Sequence, residues 1–407
     1  AAIQKSLLPA MLAWFAESPN PDLALLSFRQ LSEELGDSPW YLRKLRDEGT
    51  GAQQLARMLS ASQYVTGLIR RAPDSVALLG DEDALVPREL NRLDTEMELA
   101  AARHRIPDGA ILAIRRIRRR ELSRVAMADV LGRLDVVEVG EALSAINTAT
   151  LRATLRTAEA AWVESNEREL PARSAGVLRG RLGGSHSCYG SDADVMFVYE
   201  PVENADPHEA KACSFWIAQL LRKMLAAPGS DPALEVDADL RPEGKSGPLV
   251  RSFASYRAYY QKWADTWEAQ ALLRANPVVG DGDLCQRFAE LIDPIRYPAE
   301  GLTAAEVREI RRIKARVDSE RLPRGANPNT HLKLGRGGLA DVEWTIQLLQ
   351  LEHAHHVPGL RTTRTLAAIE AATEAGLLIQ EDADSLTEAW RMVTRIRNGV
   401  VLWRAKP

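Results

Sequence analysis

The sequence predicts an α+β chain that is mostly α, and three observations carry that expectation. Apolar residues recur at helical spacing up to about Glu169. Between Ala175 and Leu249 the rhythm changes to short apolar runs separated by glycine- or proline-bearing turns, as strands require. After Leu249 the helical rhythm returns. At 407 residues the chain is too long for one ordinary core. It divides into a helical module over 1–145, a domain with a small mixed sheet over 146–295, and a helical bundle over 296–407 that reads as truncated. The chain opens on Ala1 and Ala2 rather than Met and stops at Pro407 after a helical pattern, so it reads as a piece of a longer protein.

In the first unit, Asn20 predicts a helix start because its side chain accepts from orphan amides, Pro21 suits the first helical position, and Gly36 is expected to close the helix in a left-handed conformation. In the second, strands are expected over 175–178, 195–199 and 234–240. Asp206 and Pro207 open the helix between the last two, whose apolar face is Phe215, Ile217, Leu220, Leu221 and Leu225. This is a strand, helix, strand unit. Helices follow over 252–274 and 281–292, and Thr303 with Glu306 forms a capping box. A short strand at 332–334 leads through Gly335, Gly337 and Gly338 into a helix from Asp341.

Composition removes several classes of function. Against 56 acidic residues stand 52 basic ones, a net charge of -4, so no global positive field holds a polyanion, and nucleic acid is not an expected partner. The three cysteines, Cys188, Cys213 and Cys285, lack CxxC spacing, which points away from a disulfide framework and toward a reducing cytoplasm. No run is long and apolar enough for a membrane span, and no leader opens the chain, so insertion and export are not expected.

The chemistry is concentrated in Gly183 and Gly184, six residues, then Ser191, Asp192, Ala193, Asp194 and an apolar run to Tyr199. Alternation along a strand puts Asp192 and Asp194 on one face and Ala193 and Val195 in the core. Two such carboxylates repel unless a cation sits between them, and hard oxygen ligands suit magnesium, which completes its shell from triphosphate oxygens. The glycine amides and the Ser191 hydroxyl are candidate donors to the phosphates. A third carboxylate is expected from the next strand, where Glu235, Asp237 and Asp239 share a face. Asp237 lies centrally and is favoured, with Asp239 the alternative. Together these residues predict a site that moves a nucleoside monophosphate from a metal-bound triphosphate to an acceptor.

Four motifs carry a family resemblance: RLGGSHSCYGSDAD from Arg181, VDADLRPEGKSGPL from Val236, WEAQALLRA from Trp267, and HLKLGRGGLADVEWTIQ from His331. They resemble the bifunctional glutamine synthetase adenylyltransferase and adenylyl-removing enzymes, whose catalytic cores are polymerase-beta-like nucleotidyltransferases. The resemblance covers almost the whole chain. It implies ATP as substrate, two magnesium ions held by Asp192, Asp194 and Asp237, and a nucleotide site lined by Arg241, Ser246 and Gly247 as well as Gly183, Gly184 and Ser191. It also marks Glu268, Gln270 and Arg274, and Lys333, Gly337, Gly338, Asp341 and Glu343, for which buried pairing competes with nucleotide contact. The helical start resembles the module joining two catalytic halves, so the half present is expected to be the adenylyltransferase, with glutamine synthetase as protein substrate and a PII-type signalling protein and glutamine as regulators. Where the family often has Lys and Glu, this chain has Arg181 and His186, the latter expected as an exposed loop histidine.

Other features have structural readings. The His353, His355 and His356 cluster is expected to diverge around a helix. The run Arg115, Arg116, Arg118, Arg119 and Arg120 is expected to be a solvated flank, and Trp263 with Trp267 to be core.

Overall fold

The computed structural model describes residues 2–405 apart from 48, 230 and 264, and leaves out the side chains of 2–6 and 47. Helices dominate, as expected, around a five-stranded mixed sheet. The first five, α1 (Ala2–Ala16), α2 (Pro21–Leu35), α3 (Pro39–Asp47), α4 (Gly49–Ala61) and α5 (Gln63–Arg71), pack around Met11, Phe28, Tyr41 and Leu55. Asn20 caps α2 by accepting from the Leu23 amide at 3.1 Å. Gly36 does not adopt the expected left-handed conformation (φ −59°), because Ser38 N–H closes the helix end on the Leu35 carbonyl at 2.8 Å.

Three further helices, α6 (Leu90–Ala102), α7 (Pro107–Val130) and α8 (Val136–Asn166), carry the module to the sheet. Helix α8 starts at an Asp135–Glu138 capping box and runs without a break through residues 145 and 146. Its length puts the module and the sheet domain on one continuous core.

The strands are β1 (Ala172–Leu178), β2 (Ala193–Pro201), β3 (Val236–Asp237), β4 (Val250–Ser252) and β5 (Asn276–Gly280), ordered β3-β2-β1-β5 with β4 also on β2. The turn between β1 and β2 holds the single-turn helix α9 (Gly180–Gly183), and α10 (Pro207–Ala226) crosses from β2 to β3. Alternation in β2 sends Val195, Phe197 and Tyr199 to the face covered by α10. Met196 and Val198 face the other layer, α11 (Phe253–Trp263), α12 (Thr266–Leu272) and α13 (Gly282–Arg296), through Tyr256, Tyr260 and Phe288. The helix expected over 252–274 is therefore two, because Asp265 starts a second one with a capping box to Glu268. On α10, Ile217, Leu221 and Leu225 are buried as expected, whereas Phe215 is exposed.

Of the arginines of α7, Arg116 is exposed as expected, but Arg115, Arg118 and Arg119 correct the expectation of a solvated flank. The segment between α10 and β3 has carbonyls without sheet partners, and buried guanidinium groups satisfy them. Arg115 donates to the carbonyls of Ala227 at 2.6 Å and Asp231 at 2.8 Å, and Arg118 to that of Pro232 at 2.8 Å. Arg119 pairs with the Asp231 carboxylate at 2.6 Å.

The chain finishes with α14 (Ala304–Glu320), α15 (Leu339–His353), α16 (Thr365–Glu374) and α17 (Gln380–Arg404), packed around Ile346, Ile369 and Trp390. The Thr303–Glu306 capping box opens α14 as expected. Residues 332–334 form turns rather than a strand, because the Gly335 amide folds back onto the His331 carbonyl at 2.7 Å and the Leu334 amide onto His331 Nδ1 at 2.9 Å. Helix α17 returns to the first module, where Ser62 Oγ donates to the Leu402 carbonyl at 2.7 Å.

Candidate active site

The strand pairing brings the expected acids together. Strand β3 runs parallel to β2 in a register that sets Ala193 opposite Val236 and Asp194 opposite Asp237. The Ala193 amide donates to the Glu235 carbonyl at 2.8 Å, fixing that register. Asp192 lies exposed just before β2, Ala193 and Val195 are buried, and Asp194 is half-buried, which is the alternation expected. Asp239 is drawn elsewhere, to Arg241 at 3.5 Å and Lys245 at 3.2 Å, while its amide donates to Asp237 Oδ1 at 2.7 Å.

These acids perturb one another. Burial, reinforced by the Asp237 and Asp192 charges, pushes Asp194 up to about 6, against the opposing pull of Arg179 and Lys333. Burial and the charges of Glu235 and Asp237 likewise raise Asp192. The cluster is thus short of positive charge, and its donor set of hard carboxylate oxygens fits a divalent cation such as magnesium. Among the described residues no group of three or more His, Cys, Asp or Glu side chains is placed so as to hold a metal ion.

The turn after β1 does different work from that expected of its glycines. The Gly183 amide donates to the Arg179 carbonyl at 2.8 Å and the Gly184 amide to that of Gly180 at 3.2 Å, so neither is available to phosphate. A Cβ on Gly183 would lie 1.9 Å from the Arg274 carbonyl oxygen, which makes its role one of close packing. Ser191 is half-buried, directly before the exposed Asp192. The glycine that meets the acids is Gly180, at φ +55°, where a Cβ would stand 2.3 Å from Asp194 Oδ2. Sequence reasoning missed it, and missed Arg179, which is buried beneath Asp194 and donates its amide to the Asp194 carbonyl at 2.9 Å. The signal was present in the step from an apolar strand directly into Arg179-Gly180.

Arg241 braces the loop after β3, donating to the carbonyls of Gly247 at 3.0 Å, Ala238 at 2.8 Å and Lys245 at 3.1 Å. Ser246 is exposed on that loop, while Gly247 is buried with the Pro242 carbonyl 2.2 Å from where a Cβ would stand. The other motif residues are largely paired within the protein. Glu268 accepts from the Tyr259 hydroxyl at 2.9 Å, Gln270 donates to Gln347 at 2.9 Å, and Arg274 pairs with Glu343 at 3.1 Å. Asp341 accepts from Lys314 at 2.5 Å and from the Gly337 amide at 2.8 Å. Lys333 is exposed, and its charge reaches Asp194.

Three further expectations change. His186 is 4% exposed rather than a surface residue, because the turn folds under α16 and the Thr365 amide donates to His186 Nε2 at 3.2 Å. Trp263 and Trp267 are 59% and 45% exposed, not core, because α11 breaks between them. The three histidines come together instead of diverging, with the His355 and His356 rings 4.4 Å apart, because α15 ends at His353 and the chain turns.

Comparison with known proteins gives concordant matches. Residues 52–291 match the family described as Glutamate-ammonia ligase adenylyltransferase, and residues 308–407 match the description GlnD PII-uridylyltransferase. Proteins named "Bifunctional glutamine synthetase adenylyltransferase/adenylyl-removing enzyme" are similar along the whole chain: 52% identical in Streptomyces avermitilis over 424 residues, 51% in Streptomyces coelicolor over 422, and 49% in Mycobacterium tuberculosis H37Rv over 408. All of this chain is covered, but only 42%, 42% and 41% of those relatives, so it spans about two fifths of their length. A small mixed sheet with paired aspartates at the head of one strand, joined to such matches, puts the central domain in the nucleotidyltransferase class. Within that class, the chain belongs to the glutamate-ammonia ligase adenylyltransferase family.

Proposed function

We propose that this chain is an adenylyltransferase that moves AMP from ATP to a tyrosine hydroxyl of glutamine synthetase, releasing pyrophosphate and lowering nitrogen assimilation. The observation that carries this reading is the β2–β3 register, which sets Asp194 beside Asp237 with Asp192 two residues away.

Asp192, Asp194 and Asp237 would hold two magnesium ions, which when bound supply charge neutralisation at the triphosphate. The half-buried Ser191 hydroxyl would donate to a phosphate oxygen, and the exposed Lys333 ammonium faces the same region from the C-terminal bundle. Arg241 keeps the loop bearing Ser246 and Gly247 in place as a wall of the nucleotide site. A phenol of pKa about 10 needs help to react at neutral pH, and Asp237 is assigned as the group that orients it and takes its proton. The tyrosine oxygen then bonds to the α-phosphorus as the bond from that phosphorus to the bridging oxygen breaks, and pyrophosphate leaves with the electron pair.

The match of residues 308–407 to a PII-uridylyltransferase description supports a PII-type protein as regulatory partner. No helix among the described residues is long and apolar enough to cross a membrane, in keeping with a cytoplasmic site of action. The test is to mix the chain, magnesium, ATP labelled at the α-phosphate and unmodified glutamine synthetase. Label on the synthetase supports the transfer. Release of ADP from adenylylated synthetase and phosphate, with no labelling, would instead assign the chain the opposite reaction.

A further inference from the structure

Trp390, Thr394 and Asn398 follow one another at four-residue intervals on α17, so they share one face, and all three are buried. Helix α9 and the turn after it lie against this face. Arg181 donates through Nε to the His186 carbonyl at 2.9 Å and reaches Thr394 Oγ1 at 3.5 Å, while the His186 ring meets Trp390 edge-on at 4.8 Å.

The polar atoms at this junction do not satisfy one another. His186 Nε2 accepts from the Thr365 amide, so the neutral ring carries its proton on Nδ1. That Nδ1–H, one terminal nitrogen each of Arg181 and Arg397, Trp390 Nε1 and Asn398 Nδ2 are all buried donors without an acceptor. Asn398 Oδ1 is the single unpaired acceptor beside these five donors.

Charge is unbalanced in the same sense. Among the described residues neither Arg181 nor Arg397 has a carboxylate within ion-pair distance, and the nearby Glu343 is engaged by Arg274. Burial depresses Arg181; Cys188 and Glu343 oppose that, and the Arg397 and Arg274 charges add to it. Burial, with Arg274, Arg181 and Arg364, holds His186 well below its ordinary value. Water alone would satisfy these N–H groups but leave the half-buried Arg181 and Arg397 guanidinium groups without an ion-pair partner, whereas an anion answers both deficits.

We propose that a small inorganic anion, chloride in kind, binds between the turn at 181–188 and α17, held by the guanidinium groups of Arg181 and Arg397 and by His186 Nδ1–H. This site is distinct from the aspartate cluster and does not depend on the adenylyltransferase reading. It braces the segment that starts at Gly180, where a Cβ would stand 2.3 Å from Asp194 Oδ2.

The test uses the full chain and halide as the probe. Crystals soaked in sodium bromide should show an anomalous difference peak in contact with both guanidinium groups; ordinary water density there and no bromide peak would overturn the proposal. In solution, replacing chloride by gluconate at fixed ionic strength should lower the melting temperature of the parent by about 2 °C or more. Arg397→Met should lose that dependence and, in gluconate, melt at or above the parent, because a like-charge repulsion is gone. An equal chloride response in both proteins would also overturn it. Should the variant fail to fold, the bromide map of the parent decides alone.

Discussion

Replacing Asp194 by asparagine should stabilise the protein while abolishing its activity. In the folded chain this carboxyl is raised from 3.8 to about 6, first by burial and then by Asp237. A carboxyl that binds its proton more tightly when folded makes the folded state lose stability as pH rises through the interval between those values. At 1.36 kcal/mol for each tenfold step, the rise corresponds to roughly 3 kcal/mol against folding above pH 6. Asparagine removes that charge, offset in part by the lost attraction to Arg179. The assay is thermal unfolding in a chelator at pH 7.5 and at pH 4. At pH 7.5 Asp194→Asn should melt about 3 °C above the parent, since each 1 kcal/mol is worth roughly 1 °C in a chain of 407 residues. Near pH 4 the parent's carboxyl is largely protonated, and the two curves should approach each other. A variant that melts below the parent at pH 7.5 without divalent cations would refute the reasoning, because it would show that the empty cluster stabilises its charges.

Asp192→Asn should lower kcat/KM for labelling of glutamine synthetase at least about a thousandfold, roughly 4 kcal/mol of transition-state stabilisation, and near-normal turnover would reject its assignment as a metal ligand. Gly180→Ala places a methyl group where Asp194 Oδ2 now lies, at φ +55°. It should cost about 1–2 kcal/mol of stability and most of the activity, as read by melting and by ATP turnover. Arg118→Met removes donors to the carbonyl of Pro232 and to Asn147. Denaturant titration should find it destabilised by about 2–4 kcal/mol, and a change under 0.5 kcal/mol would mean that this anchor is dispensable.

The acids were legible in the sequence because strand alternation is a local property: Ala193, Asp194, Val195 and Val236, Asp237, Ala238 show which side chains face out without any knowledge of the fold. Only β2–β3 pairing distinguishes Asp237 from Asp239, and it does so through the register of Asp194 with Asp237 and the attraction of Asp239 to Arg241 and Lys245. What escaped reading was set by distant chain segments. His186 is buried by α16 and α17, the arginines of α7 by carbonyls more than a hundred residues away, and β5 is a five-residue strand containing Pro277 that only β1 makes a strand. The Gly183-Gly184 pair illustrates a different limit. Glycines mark close backbone approach, but the approaching atom at Gly183 is the Arg274 carbonyl rather than a phosphate.

The most direct measurement is a structure of the chain with magnesium and a non-hydrolysable ATP analogue. Divalent cations are expected in contact with the triphosphate and with the carboxylates of Asp192, Asp194 and Asp237, with the Ser191 hydroxyl on a phosphate oxygen. A nucleotide bound elsewhere, or cations that leave Asp194 and Asp237 without metal contact, would contradict this expectation.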